Sequence, residues 1–313
     1  MPKVVISEFM DEAAIREELS GFDVLYDSGL VDRPEALRAA LNDADAVIVR
    51  NRTQVRGDLL AAAPDLKVVG RLGVGLDNID VPACDARGIA VYPATGANDG
   101  AVAEYVLGTA MLLLRGAYGA SAQVAAGAWP RGALMGREIA GKRLGLVGFG
   151  AIARETARRA AALGMTLAAY DPHLPADDPA WTASFGPVAR LSLEALIAGS
   201  DVLSLHVPLT EETRGMIDAD AIARMPPGAI LINAARGGVV IEAAVADALS
   251  AGRLGGAALD VFEREPLDAQ AGAVFRDVPN LILSPHIAGV TQESNVRVSS
   301  VTARAVRRHL SEG

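Results

Sequence analysis

The chain has 313 residues, 51% of them hydrophobic, enough for about two domains with substantial cores. Its net charge of −9 gives no support for nucleic-acid binding, which usually needs a basic surface. Cys84 is the only cysteine, so no intramolecular disulfide and no cysteine-based metal site is expected; it reads as a small buried residue.

The N-terminus carries Lys3 and a short apolar strand, Val4-Val5-Ile6, before Glu8, which is not the pattern of a signal peptide. The longest apolar run, Tyr105–Leu114, is shorter than the roughly 20 residues that span a bilayer. A soluble cytoplasmic protein is the expectation. Strand candidates follow at Ala46–Val49, Lys67–Val69 and Ile89–Val91, with helices near Pro34–Leu41 and Arg56–Ala62. Such alternation predicts a parallel sheet with helices on both faces. Arg50 and Arg52 follow one of these strands and Arg71 another, in an otherwise acidic third of the chain. A long, mostly apolar helix, Asn98–Leu114, closes this section.

The next elements carry the strongest signal. An apolar strand, Leu144–Val147, runs into Gly148-Phe149-Gly150-Ala151-Ile152-Ala153. A helix follows, with apolar residues at Ile152, Ala160 and Leu163, and a second strand, Thr166–Tyr170, ends at Asp171. This is a βαβ unit with a dinucleotide fingerprint at its first turn. Gly148 allows the tight turn, Gly150 lets the backbone approach a pyrophosphate, and Ala153 still permits close helix–strand packing. The helix start offers N–H groups and partial positive charge to the phosphates. Asp171 stands 171 − 153 = 18 residues past Ala153, close to the spacing of an acid that binds the adenosine ribose. Its charge repels a 2′-phosphate and so favours NAD over NADP; His173 partly offsets that repulsion.

After a longer loop, Pro172–Pro187, the alternation resumes. Strand Val202–Leu205 leads into His206-Val207-Pro208, and a helix lies near Ala219–Arg224. Strand Ala229–Ile232 leads into Asn233-Ala234-Ala235-Arg236-Gly237-Gly238, followed by helix Glu242–Ala251. Strand Ala257–Leu259 leads into Asp260-Val261-Phe262-Glu263-Arg264-Glu265-Pro266, and strand Leu281–Leu283 into Ser284-Pro285-His286. A helical segment, Gln292–Leu310, closes the chain, and the pattern does not show where it docks. Ligands of doubly wound sheets sit beyond the carboxyl ends of the strands. Arg236, Glu265 and His286 on three such ends suit hydride chemistry on a 2-oxo acid. Histidine gives a proton to the carbonyl oxygen near neutral pH. A carboxylate orients it, and arginine grips the substrate carboxylate with planar geometry. His206 reads as lining the adenine side, His309 as a surface residue and Glu263 as solvated.

With these residues in place the chain closely resembles the NAD-dependent D-isomer-specific 2-hydroxyacid dehydrogenases, particularly the phosphoglycerate dehydrogenase branch. The resemblance covers nearly the whole chain. Its motifs are residues Gly70 to Asp80, Asn98 through Glu104, Trp129, the glycine turn, His206 to Thr210, Asn233 to Gly238, Asp260 to Pro266 and Ser284 to His286. It implies a flavodoxin-like substrate domain, 1–97 with 286–313, and a Rossmann NAD domain, 98–285, both doubly wound parallel α/β sheets. It implies Arg236 as substrate-carboxylate ligand, His286 as acid/base and Glu265 as its partner. NAD is implied at Gly148, Gly150, Ala151, Ile152, Asp171, His206, Val207, Pro208, Ala234, Ala235, Arg236, Asp260, His286 and Gly289, with Asp260 on the nicotinamide carboxamide. Backbone N–H groups around Val74 and Gly75 are implied on the substrate carboxylate. A homodimer built around the nucleotide domain is implied too, with no metal, membrane or nucleic-acid partner. Departures are small: Ala153 replaces the usual third glycine, and Ala151 stands where a longer polar residue is frequent. The chain length leads us to expect no C-terminal regulatory domain.

The resulting expectation is reversible hydride transfer between NAD and a small 2-hydroxy acid. Residues matching Arg50 and Arg71 lie near the substrate phosphate in the phosphoglycerate branch. These are strand ends that can face the same cleft as Arg236, so a substrate with a second anion is expected, such as 3-phosphoglycerate or sulfolactate. The short chain also resembles bacterial sulfolactate dehydrogenases. Alternatives are a glyoxylate/hydroxypyruvate reductase, or a non-catalytic NAD-sensing corepressor-like protein, which the intact Arg236, Glu265 and His286 oppose. A formate dehydrogenase would carry Gln where Glu265 stands.

Overall fold

In the computed structural model, which describes residues 1–312, the chain leaves its first unit at Asn98 and returns to it at Val290. The units are Met1–Asn98 with Val290–Gly313, and Asp99–Gly289.

The first unit contains β1 (Lys3–Ile6), α1 (Glu12–Glu18), β2 (Asp23–Tyr26), α2 (Pro34–Leu41), β3 (Ala46–Val49), α3 (Gly57–Ala61), β4 (Val68–Arg71), α4 (Val81–Ala86) and β5 (Ala90–Pro93). All pairings are parallel in the order β2-β1-β3-β4-β5, which is the flavodoxin-like order. Every residue of β3 is buried, and its side chains alternate between two cores as strand geometry requires. Val47 and Val49 meet α2, α3 and Cys84; Ala46 and Ile48 meet the terminal helix.

That helix, Gln292–Glu312, belongs to this unit. It packs closely over β4, where a Cβ on Gly70 would stand 2.7 Å from Thr302 Cγ2 and 2.8 Å from Val306 Cγ2. Only glycine allows that packing. Thr302 Oγ1 donates to the carbonyl of Arg71 at 3.2 Å, and Arg304 and Arg307 each reach the buried carboxylate of Glu18 at 2.6 Å. His309, expected at the surface, is half-buried edge-on to Tyr92, because the same docking lays the helix over β5.

The second unit runs α5 (Asp99–Arg115), α6 (Ser121–Ala125), β6 (Arg143–Val147), α7 (Ala151–Ala162), β7 (Thr166–Tyr170), β8 (Thr182–Ala183), β9 (Gly186–Pro187), β10 (Ala189–Arg190), α8 (Leu193–Gly199), β11 (Val202–Leu205), α9 (Ala219–Arg224), β12 (Ala229–Asn233), α10 (Glu242–Ser250), β13 (Leu254–Leu259) and β14 (Leu281–Leu283). Its main sheet is parallel in the order β10-β7-β6-β11-β12-β13-β14. Counted within the unit this is the Rossmann order with one further strand. Leu144, Leu146, Ile230 and Ile232 face α5 and α7; Val147, Ala229 and Leu231 face α8, α9 and α10.

The loop expected over Pro172–Pro187 holds a small antiparallel pair, β8 with β9, and the buried Trp181. Trp181 stacks on Phe149 at 5.2 Å between centroids, which ties the loop to the glycine turn. Residues 286–289, placed by the sequence with the terminal segment, lie in the second unit. The reason is Asp260, whose carboxylate binds the N–H groups of Ile287 and Ala288 at 2.9 and 2.7 Å. Among the described residues no helix is long and apolar enough to cross a membrane.

Candidate active site

β6 delivers the glycine turn. Gly148 has φ +86°, and a Cβ there would stand 2.7 Å from the carbonyl oxygen of His206. Two main chains therefore touch at the strand ends, and the N–H of His206 donates to the carbonyl of Val147 at 2.7 Å. Gly150 opens α7, and a Cβ built there meets nothing within 4 Å. No side chain caps this helix start and no acid stands in its first turn. Amides of Ala151 and Ile152 thus face open space beside a glycine, the donor set a pyrophosphate requires. Ala153 is fully buried, so the methyl in place of the usual glycine is absorbed by packing.

Asp171 stands beside this turn. Oδ2 accepts from Phe149 N at 2.8 Å, and Oδ1 accepts from His173 N at 2.9 Å and Leu174 N at 3.2 Å. The carboxylate shapes the turn through three backbone donors.

His206 lies partly buried at the end of β11, with Nε2 at 3.0 Å from Ser204 Oγ. Desolvation pushes its imidazole down to about 4, so the ring is neutral at physiological pH. In the unfolded chain it titrates near 6.5, so as pH falls from there toward 4 only the unfolded state gains the proton. Folding stability is then lost across that window, by about 2 kcal/mol at pH 5. Urea unfolding near pH 7 and pH 5 should show His206→Asn losing about that much less than wild type. Equal losses in both would contradict this environment.

β12, β13 and β14 deliver the candidate reactive groups. Asn233 is buried; its Oδ1 accepts from Ala235 N at 3.1 Å and its Nδ2 donates to the carbonyl of Arg236 at 2.9 Å. That side chain folds Ala234, Ala235 and Arg236 into a turn. Arg236 Nη1 donates to the carbonyl of Ala235 at 2.6 Å. Gly237 lies against the next loop so closely that a Cβ would stand 1.7 Å from the carbonyl oxygen of Phe262.

Glu265 and His286 form the centre. Glu265 Oε2 is 2.7 Å from His286 Nδ1, and Oε1 accepts from Phe262 N at 3.0 Å. Burial raises the carboxyl, but the bonds to His286 and Phe262 and the charges of His286 and Arg236 outweigh it and hold it below the ordinary range. Glu265 therefore stays ionised at neutral pH. With Nδ1 engaged, Nε2 is the nitrogen available to a substrate proton.

His286 sits at φ +55°, with its N–H on the carbonyls of Asp260 at 2.8 Å and Ser284 at 3.0 Å. Asp260 is 1% exposed and takes three donors: Ser284 Oγ at 2.6 Å, Ile287 N and Ala288 N. Expected on the nicotinamide, this carboxylate first holds the segment that carries His286. Tyr105 OH lies 2.7 Å from Ser284 Oγ and extends the network. The apolar run around Tyr105 gave no sign of it in the sequence.

The remaining candidates lie in the first unit. Arg50 follows β3, and its Nη2 donates to Asn295 Oδ1 at 2.8 Å. Its Cζ is 5.6 Å from the ring centroid of Phe9. Arg71 ends β4 rather than following it; its Nη1 donates to the carbonyl of Leu72 at 2.9 Å, packed where a Cβ of Gly73 would stand. The N–H groups of Val74 and Gly75 meet no acceptor among the described residues. Arg52 departs from the set, since its guanidinium pairs with Asp32 at the surface. Glu8 was missed as an organiser. It is 4% exposed and accepts from Arg50 N and Thr53 N at 2.9 Å and Arg52 N at 3.2 Å. An acid just past the end of β1 was the available signal.

Comparison with known proteins bears on these features directly. Residues 107–288 match the profile of the D-isomer specific 2-hydroxyacid dehydrogenase NAD-binding domain. The chain is 55% identical over 311 residues to an (S)-sulfolactate dehydrogenase of Chromohalobacter salexigens, covering 99% of both proteins. It is 42% identical over 279 residues to a D-3-phosphoglycerate dehydrogenase of Mycobacterium tuberculosis, covering 88% of this chain but 52% of that one. The chain thus spans about half the length of that relative. A Thermus thermophilus crystal structure superposes with a TM-score of 0.88 at 31% identity, over 99% of this chain and 97% of that one. A Rossmann sheet with its glycine turn, a paired histidine and glutamate, and these matches lead to one assignment: the chain belongs to the D-isomer specific 2-hydroxyacid dehydrogenases, and its cofactor is NAD.

Proposed function

We propose that this enzyme interconverts a D-2-hydroxy acid and its 2-oxo acid, and that its preferred substrate carries a second anion, as sulfolactate and 3-phosphoglycerate do. The observation that carries the substrate reading is Arg50, a desolvated cation that makes no ion pair with a carboxylate among the described residues. Burying an uncompensated charge is costly unless a ligand completes it. The whole-length similarity to an (S)-sulfolactate dehydrogenase supports the same reading.

The chemistry follows from the chain's own groups. Ala151 and Ile152 amides beside Gly148 and Gly150 would hold the pyrophosphate, and Asp171 the adenosine ribose. His206, Val207 and Pro208 would line the adenine side, and Ala234, Ala235 and Gly289 the nicotinamide end. When bound, the cofactor would supply the hydride acceptor for C2 of the hydroxy acid as NAD and the donor for the oxo acid as NADH. In oxidation His286 accepts the hydroxyl proton at Nε2, and Glu265 stabilises the imidazolium through Nδ1. In reduction the same proton goes to the carbonyl oxygen. Arg236 binds the C1 carboxylate, and in the first unit the amides of Val74 and Gly75 are candidate carboxylate donors. Arg50 and Arg71 take the second anion.

The test is kcat/KM of wild type, Arg50→Ala and Arg71→Ala on sulfolactate, 3-phosphoglycerate, glycerate and lactate. Each charge-assisted bond to arginine is worth about 1.5–3 kcal/mol, so each variant should lose roughly tenfold or more on the dianions. Glycerate and lactate should change far less. Equal losses on all four acids would refute the second-anion reading, and equal kcat/KM with NADH and NADPH would remove Asp171 as the discriminator.

A further inference from the structure

We propose that Asn295, on the terminal helix, sets this enzyme's preference for a second anion by holding the Arg50 guanidinium in place without neutralising it. The inference rests on the reading that Arg50 binds that anion, and it concerns a positioning residue rather than a substrate contact.

Arg50 is fixed in two separate ways. Its main chain is pinned by Glu8, which accepts from Arg50 N, and by Asn78, whose Nδ2 donates to the carbonyl of Arg50 at 3.1 Å. Its side chain is held elsewhere, by Asn295 Oδ1 at 2.8 Å on Nη2 and by the face of Phe9. Nε is buried with no hydrogen-bond partner, so Asn295 supplies the one directed bond to the guanidinium among the described residues.

The partner is a neutral side-chain amide, where several other arginines of the chain meet a carboxylate. Arg304 and Arg307 share Glu18, Arg159 pairs with Glu104 and Glu155, and Arg52 pairs with Asp32. Glu8 lies near enough to favour the charged form of Arg50, as does Tyr26, yet burial still pulls the guanidinium below its ordinary range. The oxygens of Glu8 are taken by the N–H groups of Arg50, Arg52 and Thr53. A carboxylate at position 295 would have the same shape as the amide and would bind Arg50 more strongly. It would also cancel the charge that an incoming sulfonate or phosphate needs. The amide gives a weaker anchor and adds no negative charge to the guanidinium it directs.

Asn295 is itself well placed to hold that orientation. Its N–H donates to the carbonyl of Thr291 at 3.0 Å in the first turn of a helix whose later turns pack on Gly70 and bind Glu18. The guanidinium is thus oriented by the body of the unit, not by its own loop.

The experiment compares wild type, Asn295→Asp, Asn295→Ala and Arg50→Ala with saturating NAD on sulfolactate and on glycerate, alongside thermal unfolding. Asn295→Asp should raise KM for sulfolactate about tenfold or more with kcat within about twofold, change glycerate much less, and leave Tm at or above wild type. Asn295→Ala, which frees the guanidinium without neutralising it, should raise that KM by less. If Asn295→Asp keeps the wild-type KM while Arg50→Ala loses it, the inference is wrong and the second-anion reading stands. If Arg50→Ala also keeps it, both are wrong. A fall in kcat shared equally by both acids would mark a merely structural role and overturn the inference as well.

Discussion

Replacing His286 with alanine should lower kcat on the best 2-hydroxy acid by about 10²–10⁴-fold, the usual cost of losing a positioned general acid or base. That corresponds to roughly 3–5 kcal/mol of barrier. The geometry makes the loss specific to chemistry. His286 reaches Glu265 at 2.7 Å and is held on its backbone by Asp260, whereas the glycine turn and Asp171 are built on β6 and β7. NADH binding, measured by fluorescence titration, should therefore change little. Glu265→Gln should keep a neutral bond to Nδ1 but lose the charge that stabilises imidazolium, and so fall between wild type and His286→Ala. A His286→Ala enzyme with near-wild-type kcat would remove His286 from the reaction.

Gly237→Ala should be nearly as damaging, although position 237 contributes no reactive group. The added methyl would have to occupy space 1.7 Å from the carbonyl oxygen of Phe262 and 2.8 Å from Glu263 N. A backbone carbonyl cannot step aside as a flexible side chain does, so one of the two loops must shift. One carries Arg236 and the other carries Glu265. Misplacement by about 1 Å typically costs on the order of 10²-fold in rate. The expected result is a loss of about that size in kcat/KM with a folded far-UV spectrum and retained NADH affinity. Activity within about threefold of wild type would show that the loops are not coupled through this contact.

β3 and β11, buried along their whole length, could be read at their observed bounds from short apolar runs, and so could the less buried β7 and β14. β2 could not, because an edge strand with alternating exposure reads Asp-Val-Leu-Tyr and carries a charge. The short helices α1, α4 and α8 escaped notice too, although Asp11, Asp80 and Ser192 each cap one and accept from an N–H three residues on.

The candidate reactive set stands together for a topological reason. Parallel strands bring their carboxyl ends to one edge, so polar residues after β12, β13 and β14 stand together whatever lies between them. What that rule leaves out is the support around each group. Glu8 obeys it but reads as an ordinary acid until its three N–H donors are seen. Asn295 does not obey it, being 245 residues from Arg50 and reaching it only because the terminal helix docks on Gly70. The resemblance implies Asp260 as a cofactor ligand, and its burial and hydrogen bonds show that it also holds the His286 segment.

The most direct test of the whole account is the wild-type ratio of kcat/KM for sulfolactate over glycerate, measured with NAD under one set of conditions. On the proposed reading both acids would offer the C2 hydroxyl to His286 and a carboxylate to Arg236, and they differ in the group that Arg50 would meet. The account gives a ratio of about tenfold or more in favour of sulfolactate, or of 3-phosphoglycerate if that is the better dianion. A ratio near or below one for both dianions, with glycerate or lactate turned over as well or better, would contradict it.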